Sequence, residues 1–442
     1  MKLLRAFALL LVLANMSAVL AGERPRELIV LLLMDATRAD HVSAYGYSRV
    51  TTPNLNRLSQ SGRRFTRAYT NAPWTRPATT SFLTGMNASR HRTETENSKL
   101  PKDIVTLAER LHRGGWATAG FSANGHGGSL AGLNRGFDVF RDPTNTYTRS
   151  RRRETYNGLP PAPFIAKEVL GYLAGANADK QFLFVFFVDP HDPYQAPPAL
   201  EKMFLGDFTG TIRRHASWEY NNHYRDDERY SMMAVYDAAI FYADQAFGEL
   251  IAGLKAQGLY DQATIFVSAD HGEGFGEHDF YLHAHHFWEE VIHIPLIVKG
   301  PRFAVGADDR LTQPIDVTAT ILDCAGLAQN DLAGHSLLGP AAAAPRVISE
   351  YNEFGIHRQA IMDGRYKVIW QRPADEAWFL RTAQKKDFFP SVSFDHEVVQ
   401  VFDLRSDPAE KVDLSADMPE AAQVLLTELR AYVAQAPVVA VH

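Results

Sequence analysis

Cysteine is almost absent from this chain of 442 residues, in which Cys324 is the single example. One cysteine cannot form a disulfide within the chain, so a small scaffold held together by disulfides is excluded. About 46% of the residues are hydrophobic, which is ample material for a large core. We therefore expect a globular protein that is stabilised by core packing alone.

An excess of positive charge is also missing, because the formal net charge is -6 and the sequence pI is about 6.3. This balance gives no support to nucleic-acid binding. The one basic run, Arg149–Arg153, is interpreted as a solvated loop, and contact with an anionic substrate or surface is the alternative.

Apolar segments long enough to cross a membrane are missing after the N-terminal stretch. Residues 1–21 combine a positive start at Lys2 and Arg5, a short apolar stretch and small residues before Gly22. This pattern predicts a secretory signal and a periplasmic or secreted protein. A retained N-terminal anchor is the alternative, but a bilayer span needs about 20 apolar residues. We expect no membrane span in the mature chain.

Two apolar runs end in acidic and histidine residues. The run from Leu28 ends at Asp35, and the run from Thr264 ends at Asp270 and His271. Such runs are typical of buried parallel strands, whose carboxyl ends hold ligands in open α/β sheets. Two carboxylates and an imidazole are metal ligands. The sequence therefore predicts a metal site, although Asp35 alone would also suit a turn or a helix cap.

Three further segments carry candidate catalytic groups. Thr75 lies just before a helix that we expect to begin at Ala78 or Thr79, and a capping hydroxyl is the alternative role. A third apolar run ends in "DPHDPY", where His191 is a candidate for substrate contact or acid-base chemistry. The alternative is a histidine that bonds only to turn carbonyls.

A histidine cluster follows the second metal strand. His283 is the stronger candidate for a leaving-group contact or proton donor, because imidazole titrates near neutral pH. His285 is a candidate for substrate binding, whereas His278 and His286 are interpreted as surface residues.

Several blocks resemble the sulfatase family of the alkaline phosphatase superfamily. They include "MDATRADHVSAYGY", "APWTRPATTSFLTG", "SADHGEGFGEH" and "VFDLRSDPAEKVDL", which occur in family order between residues 27 and 414. The resemblance implies an alkaline phosphatase-like α/β fold. In that fold a mostly parallel central sheet lies between helices, with a small antiparallel sheet in a C-terminal subdomain. We expect the catalytic domain to span residues 22–345 and the subdomain residues 346–442.

The resemblance implies a nucleophile at Thr75, where family sulfatases carry a cysteine or serine that becomes formylglycine. Oxidised threonine would give a ketone instead of an aldehyde, so Thr75 itself resembles the nucleophile of the family's phosphodiesterase and transferase branches. The family's sulfate-contacting lysine is missing from the segment Ser122–His126, which is a further departure from the sulfate-specific pattern. Ala36 stands where calcium sulfatases carry a second aspartate, and this departure argues against calcium. Asn124 is a candidate for a hydrogen bond to a substrate oxygen, and a cap of the turn is the equal alternative. Asn97 is a weaker candidate for substrate binding.

These observations favour an exported ester hydrolase with Asp35, Thr75, Asp270 and His271 around one divalent ion. Manganese or zinc suits these ligands better than calcium, which prefers oxygen ligands alone. The preferred substrate is a phosphodiester, phosphonate or phosphate monoester of a small molecule, glycan or lipid head group. A sulfuric ester is the first alternative. A protein that binds sulfated or phosphorylated glycans without cleaving them is the second.

Overall fold

The computed structural model describes residues 26–144, 158–216, 224–329, 331–382 and 392–436. The predicted signal at residues 1–21 and the basic run Arg149–Arg153 lie outside these ranges. Within them, no helix is both long enough and apolar enough to cross a membrane.

The strands form two main sheets and one small hairpin, and the helices pack around them. The strands are β1 Glu27–Met34, β2 Arg63–Tyr69, β3 Ala117–Ser122, β4 Val139–Arg141, β5 Lys180–Phe187, β6 Thr264–Ser268, β7 Gly274–Phe275, β8 Tyr281–Leu282, β9 His293–Lys299, β10 Gly306–Thr312, β11 Val347–Glu353, β12 Ile356–Met362, β13 Tyr366–Gln371 and β14 Val398–Asp403. The helices are α1 Pro53–Gln60, α2 Thr75–Thr84, α3 Ala88–His91, α4 Leu107–Arg113, α5 Ala162–Gly175, α6 Pro198–Leu205, α7 Asp226–Ala256, α8 Glu289–Ile292, α9 Pro314–Cys324, α10 Glu376–Thr382 and α11 Glu420–Ala434.

The large sheet has the strand order β10-β2-β9-β6-β1-β5-β3-β4 and is mainly parallel. Strand β1 pairs in parallel with β5 on one side and β6 on the other, whereas β9 is antiparallel to both β6 and β2. In this register Met34 lies opposite Phe187, and Leu33 lies opposite Ser268. The residues that follow β1, β5 and β6 therefore emerge at one edge of the sheet, as the sequence predicts.

The side chains of β1 divide between the two faces of the sheet. Val30 and Leu32 pack in the hydrophobic cluster that includes α5 and α7, while Leu31 and Leu33 pack in the cluster that includes α2, α4 and α9. Because both faces are covered, nearly every position of the strand is apolar and buried. This confirms the predicted α/β fold with helices on both faces.

The second sheet is antiparallel, with the strand order β11-β12-β13-β14, and helix α11 packs on it. It lies within the predicted C-terminal subdomain, whose boundary at residue 346 stays a prediction. A further hydrophobic cluster joins this sheet to the segment that follows β8. In it Phe287 and Trp288 pack with Tyr351 and Phe402.

Helix α2 begins earlier than predicted, at Thr75 instead of Ala78 or Thr79. Pro77 is only the third helical residue, where a backbone N–H has no partner within the helix, so proline is tolerated. The Ala78 N–H donates to the Trp74 carbonyl at 3.3 Å and continues the helix beyond the proline. Thr75 is thus the first residue of the helix and not a residue ahead of it.

Candidate active site

The three predicted metal ligands meet at the carboxyl edge of the large sheet. Each of Asp35, Asp270 and His271 offers a ligand atom, and these atoms lie within 4.8 Å of one another. All three side chains are fully buried. The His271 Nε2 lies 3.6 Å from the Asp35 Oδ1 and 3.4 Å from the Asp270 Oδ2.

The surroundings of these groups fit a cation. The Oδ2 atom of Asp270 is buried and accepts no hydrogen bond from the described part of the chain. Burial raises the pKa of Asp35, and burial together with the negative charge of Asp35 raises the pKa of Asp270 to about 7. Two buried carboxyl groups with oxygens within 4.8 Å of each other are costly when both are ionised and no positive charge lies nearby. A divalent ion held by Asp35, Asp270 and His271 would offset that cost.

Thr75 lies against the same groups. Its Oγ1 is 3.2 Å from the His271 Nε2 and 3.5 Å from the Asp35 Oδ1, and only 4% of the residue is exposed. The structure therefore places the predicted nucleophile beside the predicted ligands, although Thr75 is 40 residues from Asp35 and 196 from His271 in the chain.

The turn after β1 is fixed from two directions. The Ala36 N–H donates to the Asp270 Oδ1 at 3.1 Å, and the Tyr236 hydroxyl of α7 donates to the Ala36 carbonyl at 2.7 Å. The same hydroxyl accepts a hydrogen bond from the Arg38 N–H at 2.9 Å. Ala36 has a φ of 52°, a left-handed conformation that non-glycine residues rarely adopt. These bonds hold it there and so fix the position of Asp35.

Two histidines complete a row of rings next to the ligands. The ring centre of His283 is 4.3 Å from that of His271 and 4.9 Å from that of His191. Burial alone lowers the pKa of His191, but the charge of Asp35 and the Asp192 carbonyl outweigh this effect and raise it. Burial and the neighbouring imidazoles lower the pKa of His283. The contacts of His191 and His283 with a substrate stay predictions.

The predicted substrate contacts are placed differently from one another. The Asn124 Nδ2 donates to the Asp35 Oδ2 at 2.8 Å, so this amide orients a predicted metal ligand. Asn97 is exposed, on the turn whose Ser98 carbonyl accepts a hydrogen bond from Arg76. The His285 Nδ1 lies 2.9 Å from the Tyr351 hydroxyl of the second sheet. Substrate binding by these three residues stays a prediction.

Two residues of the site were not among the predictions. Glu273 is fully buried and its Oε1 lies 3.0 Å from the His283 Nδ1, while Tyr236 anchors the turn after β1. Glu273 was visible in the "DHGE" segment, but its partner is ten residues away across the β7–β8 hairpin. Tyr236 is 200 residues from Ala36, and no local sequence signal joins them.

Comparison with known proteins adds a family match. A family model described as Sulfatase matches residues 27–327. Choline-sulfatase from Rhizobium meliloti is 27% identical over 421 residues, which cover 82% of this chain and 77% of that protein. Arylsulfatase K from Mus musculus is 22% identical over 450 residues, covering 92% and 79%.

Solved structures agree on the fold. The phosphonate monoester hydrolase of Agrobacterium radiobacter superposes with a TM-score of 0.73 at 22% identity, covering 93% of this chain and 95% of the other. A protein in complex with its substrate D-glucosamine-2-N,6-O-disulfate superposes with a TM-score of 0.74 at 17% identity, covering 93% and 97%. At these identities the likeness concerns the fold alone.

Proposed function

The chain belongs to the sulfatase family of ester hydrolases, and from this premise we propose that it cleaves sulfuric esters with Thr75 as the nucleophile. The relatives favour this substrate class over the phosphorus esters that the sequence alone suggested. The observation that carries the assignment of Thr75 as nucleophile is the position of its Oγ1, 3.2 Å from the His271 Nε2 and 3.5 Å from the Asp35 Oδ1.

The chemistry follows from the groups around Thr75. When a divalent ion is bound by Asp35, Asp270 and His271, it lowers the pKa of the threonine hydroxyl and offsets developing negative charge. As the Thr75 hydroxyl proton passes to solvent water, the Thr75 oxygen bonds to sulfur and the sulfur–oxygen bond of the ester breaks. The departing alcohol oxygen takes its proton from His283 or His191. The oxygen of a water molecule then bonds to sulfur as the bond between sulfur and the Thr75 oxygen breaks. One proton of this water returns to the histidine, the other restores the Thr75 hydroxyl, and sulfate leaves.

Phosphorus esters are the second candidate, because a specific residue favours them. Thr75 cannot yield the formylglycine aldehyde, and a hydroxyl nucleophile suits attack at phosphorus, where the covalent intermediate is more readily hydrolysed. A phosphodiester, phosphonate or phosphate monoester would use the same residues in the same roles.

The ion and the cellular location belong to the same proposal. The imidazole of His271 among oxygen ligands supports manganese or zinc over calcium. Add-back of each ion to metal-depleted protein, followed by rate measurement, tests this choice. Export to the periplasm or outside the cell rests on the pattern at residues 1–21. N-terminal sequencing of the mature protein tests it, and an intact Met1 would contradict cleavage.

The deciding experiment compares four substrates that share one leaving group. We expect the manganese- or zinc-loaded protein to cleave nitrophenyl sulfate with a higher kcat/KM than nitrophenyl phosphate, phosphonate or phosphodiester. Thr75→Ala removes the attacking oxygen, so kcat should fall by at least about 10³-fold, whereas Thr75→Ser retains a hydroxyl and should keep measurable activity. Faster cleavage at phosphorus would favour the second candidate. Full activity of Thr75→Ala would overturn both.

A further inference from the structure

The backbone around His283 is held in an unfavourable conformation. Leu282 has a φ of 70° and Ala284 a φ of 85°, so non-glycine residues on both sides of the histidine are left-handed. The Ala284 N–H donates to the Pro73 carbonyl at 2.8 Å, two residues before Thr75. Strained backbone of this kind persists where the surrounding structure enforces it, and it is common at functional sites. The loop therefore holds His283 at a set distance from the nucleophile.

The carboxyl group of Glu273 lies against the ring of His283. The Glu273 Oε1 lies 3.0 Å from the His283 Nδ1, and Glu273 is fully buried. The Glu273 N–H donates to the Glu290 carbonyl at 2.9 Å, and the Glu273 carbonyl accepts a hydrogen bond from the Arg38 Nη1 at 3.1 Å. The carboxyl group thus projects from a backbone that is itself anchored on both sides.

This arrangement decides which nitrogen of His283 does chemistry. The Nδ1 atom faces Glu273, so any proton that His283 gives to a leaving oxygen has to come from Nε2. Carboxyl groups that fix a functional histidine in this way are typically needed for full activity. Burying the carboxyl group of Glu273 costs free energy, and its contact with the His283 Nδ1 offsets part of that cost.

We propose that Glu273 is a positioning residue that holds the His283 Nε2 toward the leaving-group oxygen. The role rests on the proposed function, in which His283 or His191 protonates the departing alcohol, and it assigns this proton to His283. As the Nε2–H bond breaks, the O–H bond of the alcohol forms, while the contact between Glu273 and Nδ1 keeps the ring in place. The water that later attacks sulfur returns a proton to Nε2.

The test compares two sulfates whose leaving groups differ strongly in their need for a proton, and reads the effect of each variant relative to wild type on the same substrate. Nitrophenolate is stable enough to leave without a proton, whereas the oxygen of propyl sulfate has to be protonated as it leaves. We expect Glu273→Ala to lower kcat for propyl sulfate by about 10- to 100-fold and to change nitrophenyl sulfate by less than about threefold. Glu273→Gln, which can still bond to Nδ1, should recover part of the loss. Glu273→Ala in a His283→Ala background should have no additional effect.

The matched control is Glu290→Ala, which removes another glutamate–histidine pair, in which Glu290 is buried and His278 is partly buried. Its Oε1 lies 2.8 Å from the His278 Nδ1, and that histidine stacks on Trp288 instead of lying in the row of rings. This variant should change both sulfates by the same factor. If Glu273→Ala also slows both sulfates equally, or if its effect multiplies with that of His283→Ala, the positioning role is wrong.

A spectroscopic measurement separates this role from the proposed function. Histidine-labelled protein should show a strongly downfield Nδ1 proton or nitrogen signal for His283 that shifts in Glu273→Ala but not in Glu290→Ala. An unchanged signal would overturn the positioning role even if both sulfates were cleaved. The proposed function would instead be overturned if wild type cleaved neither sulfate or if Thr75→Ala were fully active. In that case the His283 signal alone would test the contact with Glu273.

Discussion

The carboxyl group of Asp270 has only part of its hydrogen-bonding capacity used by the protein. Its Oδ1 accepts from the N–H groups of Ala36 and His271 at 3.1 and 2.9 Å, whereas Oδ2 faces the His271 ring. One oxygen therefore fixes the loops, and the other remains for an ion. Because the two oxygens of Asp270 have different partners, a substitution of this residue tests metal binding most directly.

Asp270→Asn should keep the loop contacts through its amide oxygen but lose the negative charge. We expect the dissociation constant for manganese or zinc to rise by at least about 100-fold. Residues that only hydrogen-bond to a metal ligand typically change metal affinity by less than this. Asp40→Asn is the control, since that exposed carboxylate pairs with Arg38. Titration calorimetry measures both variants, and equal affinities would contradict the assignment of Asp270.

At the scale of secondary-structure elements, helix α7 fixes the turn that follows strand β1. Helix α7 packs across β1 and places the Tyr236 hydroxyl between the Ala36 carbonyl and the Arg38 N–H. Both backbone groups are buried, so they depend on this hydroxyl for a partner. The geometry of the metal site is thus coupled to the position of a helix on one face of the sheet.

Tyr236→Phe should lower the free energy of unfolding by about 1–3 kcal/mol, because two buried backbone groups lose a partner. The affinity for the ion should fall by about tenfold as the turn carrying Asp35 loosens. Denaturant unfolding and metal titration measure the two effects. Tyr230→Phe, a more exposed position on the same helix, should change neither quantity, and equal effects from both variants would refute the coupling.

At the scale of the whole molecule, the fold buries acidic groups in several places. Burial raises the pKa of Asp189 and Glu353 to about 7 and that of Asp316 to about 6. In each case the folded protein keeps the proton to a higher pH than the unfolded chain does. The folded state then binds more protons between about pH 4 and 7, so the free energy of unfolding falls as the pH rises through this window.

Asp189 allows this linkage to be measured with one substitution. Its carboxyl accepts the Ala162 N–H at 2.9 Å, a bond that the amide of Asp189→Asn can keep. Between pH 5 and 8, wild type should lose about 1–3 kcal/mol of unfolding free energy relative to the variant. Denaturant unfolding of both metal-free proteins across this range provides the measurement. Parallel pH profiles would show that Asp189 does not titrate as described.

Much of the architecture follows from local sequence patterns. The apolar runs of β1, β5 and β6 mark strands buried on both faces, and parallel pairing brings their polar ends to one edge. For that reason the grouping of Asp35, Asp270 and His271 could be predicted before any coordinates were known. The family blocks, which depend on short motifs in order, likewise indicated Thr75.

The tertiary structure decided what depends on contacts between distant residues. The start of α2 at Thr75, the bond from Asn124 to Asp35 and the pairing of Glu273 with His283 are set by side-chain packing across separate elements. An apolar run that ends in polar residues is a local property of the sequence, so the sequence alone determined the strands β1, β5 and β6 and the polar residues at their ends. The orientation of each side chain at that edge depends on partners as much as 234 residues away, and only the folded chain supplies them.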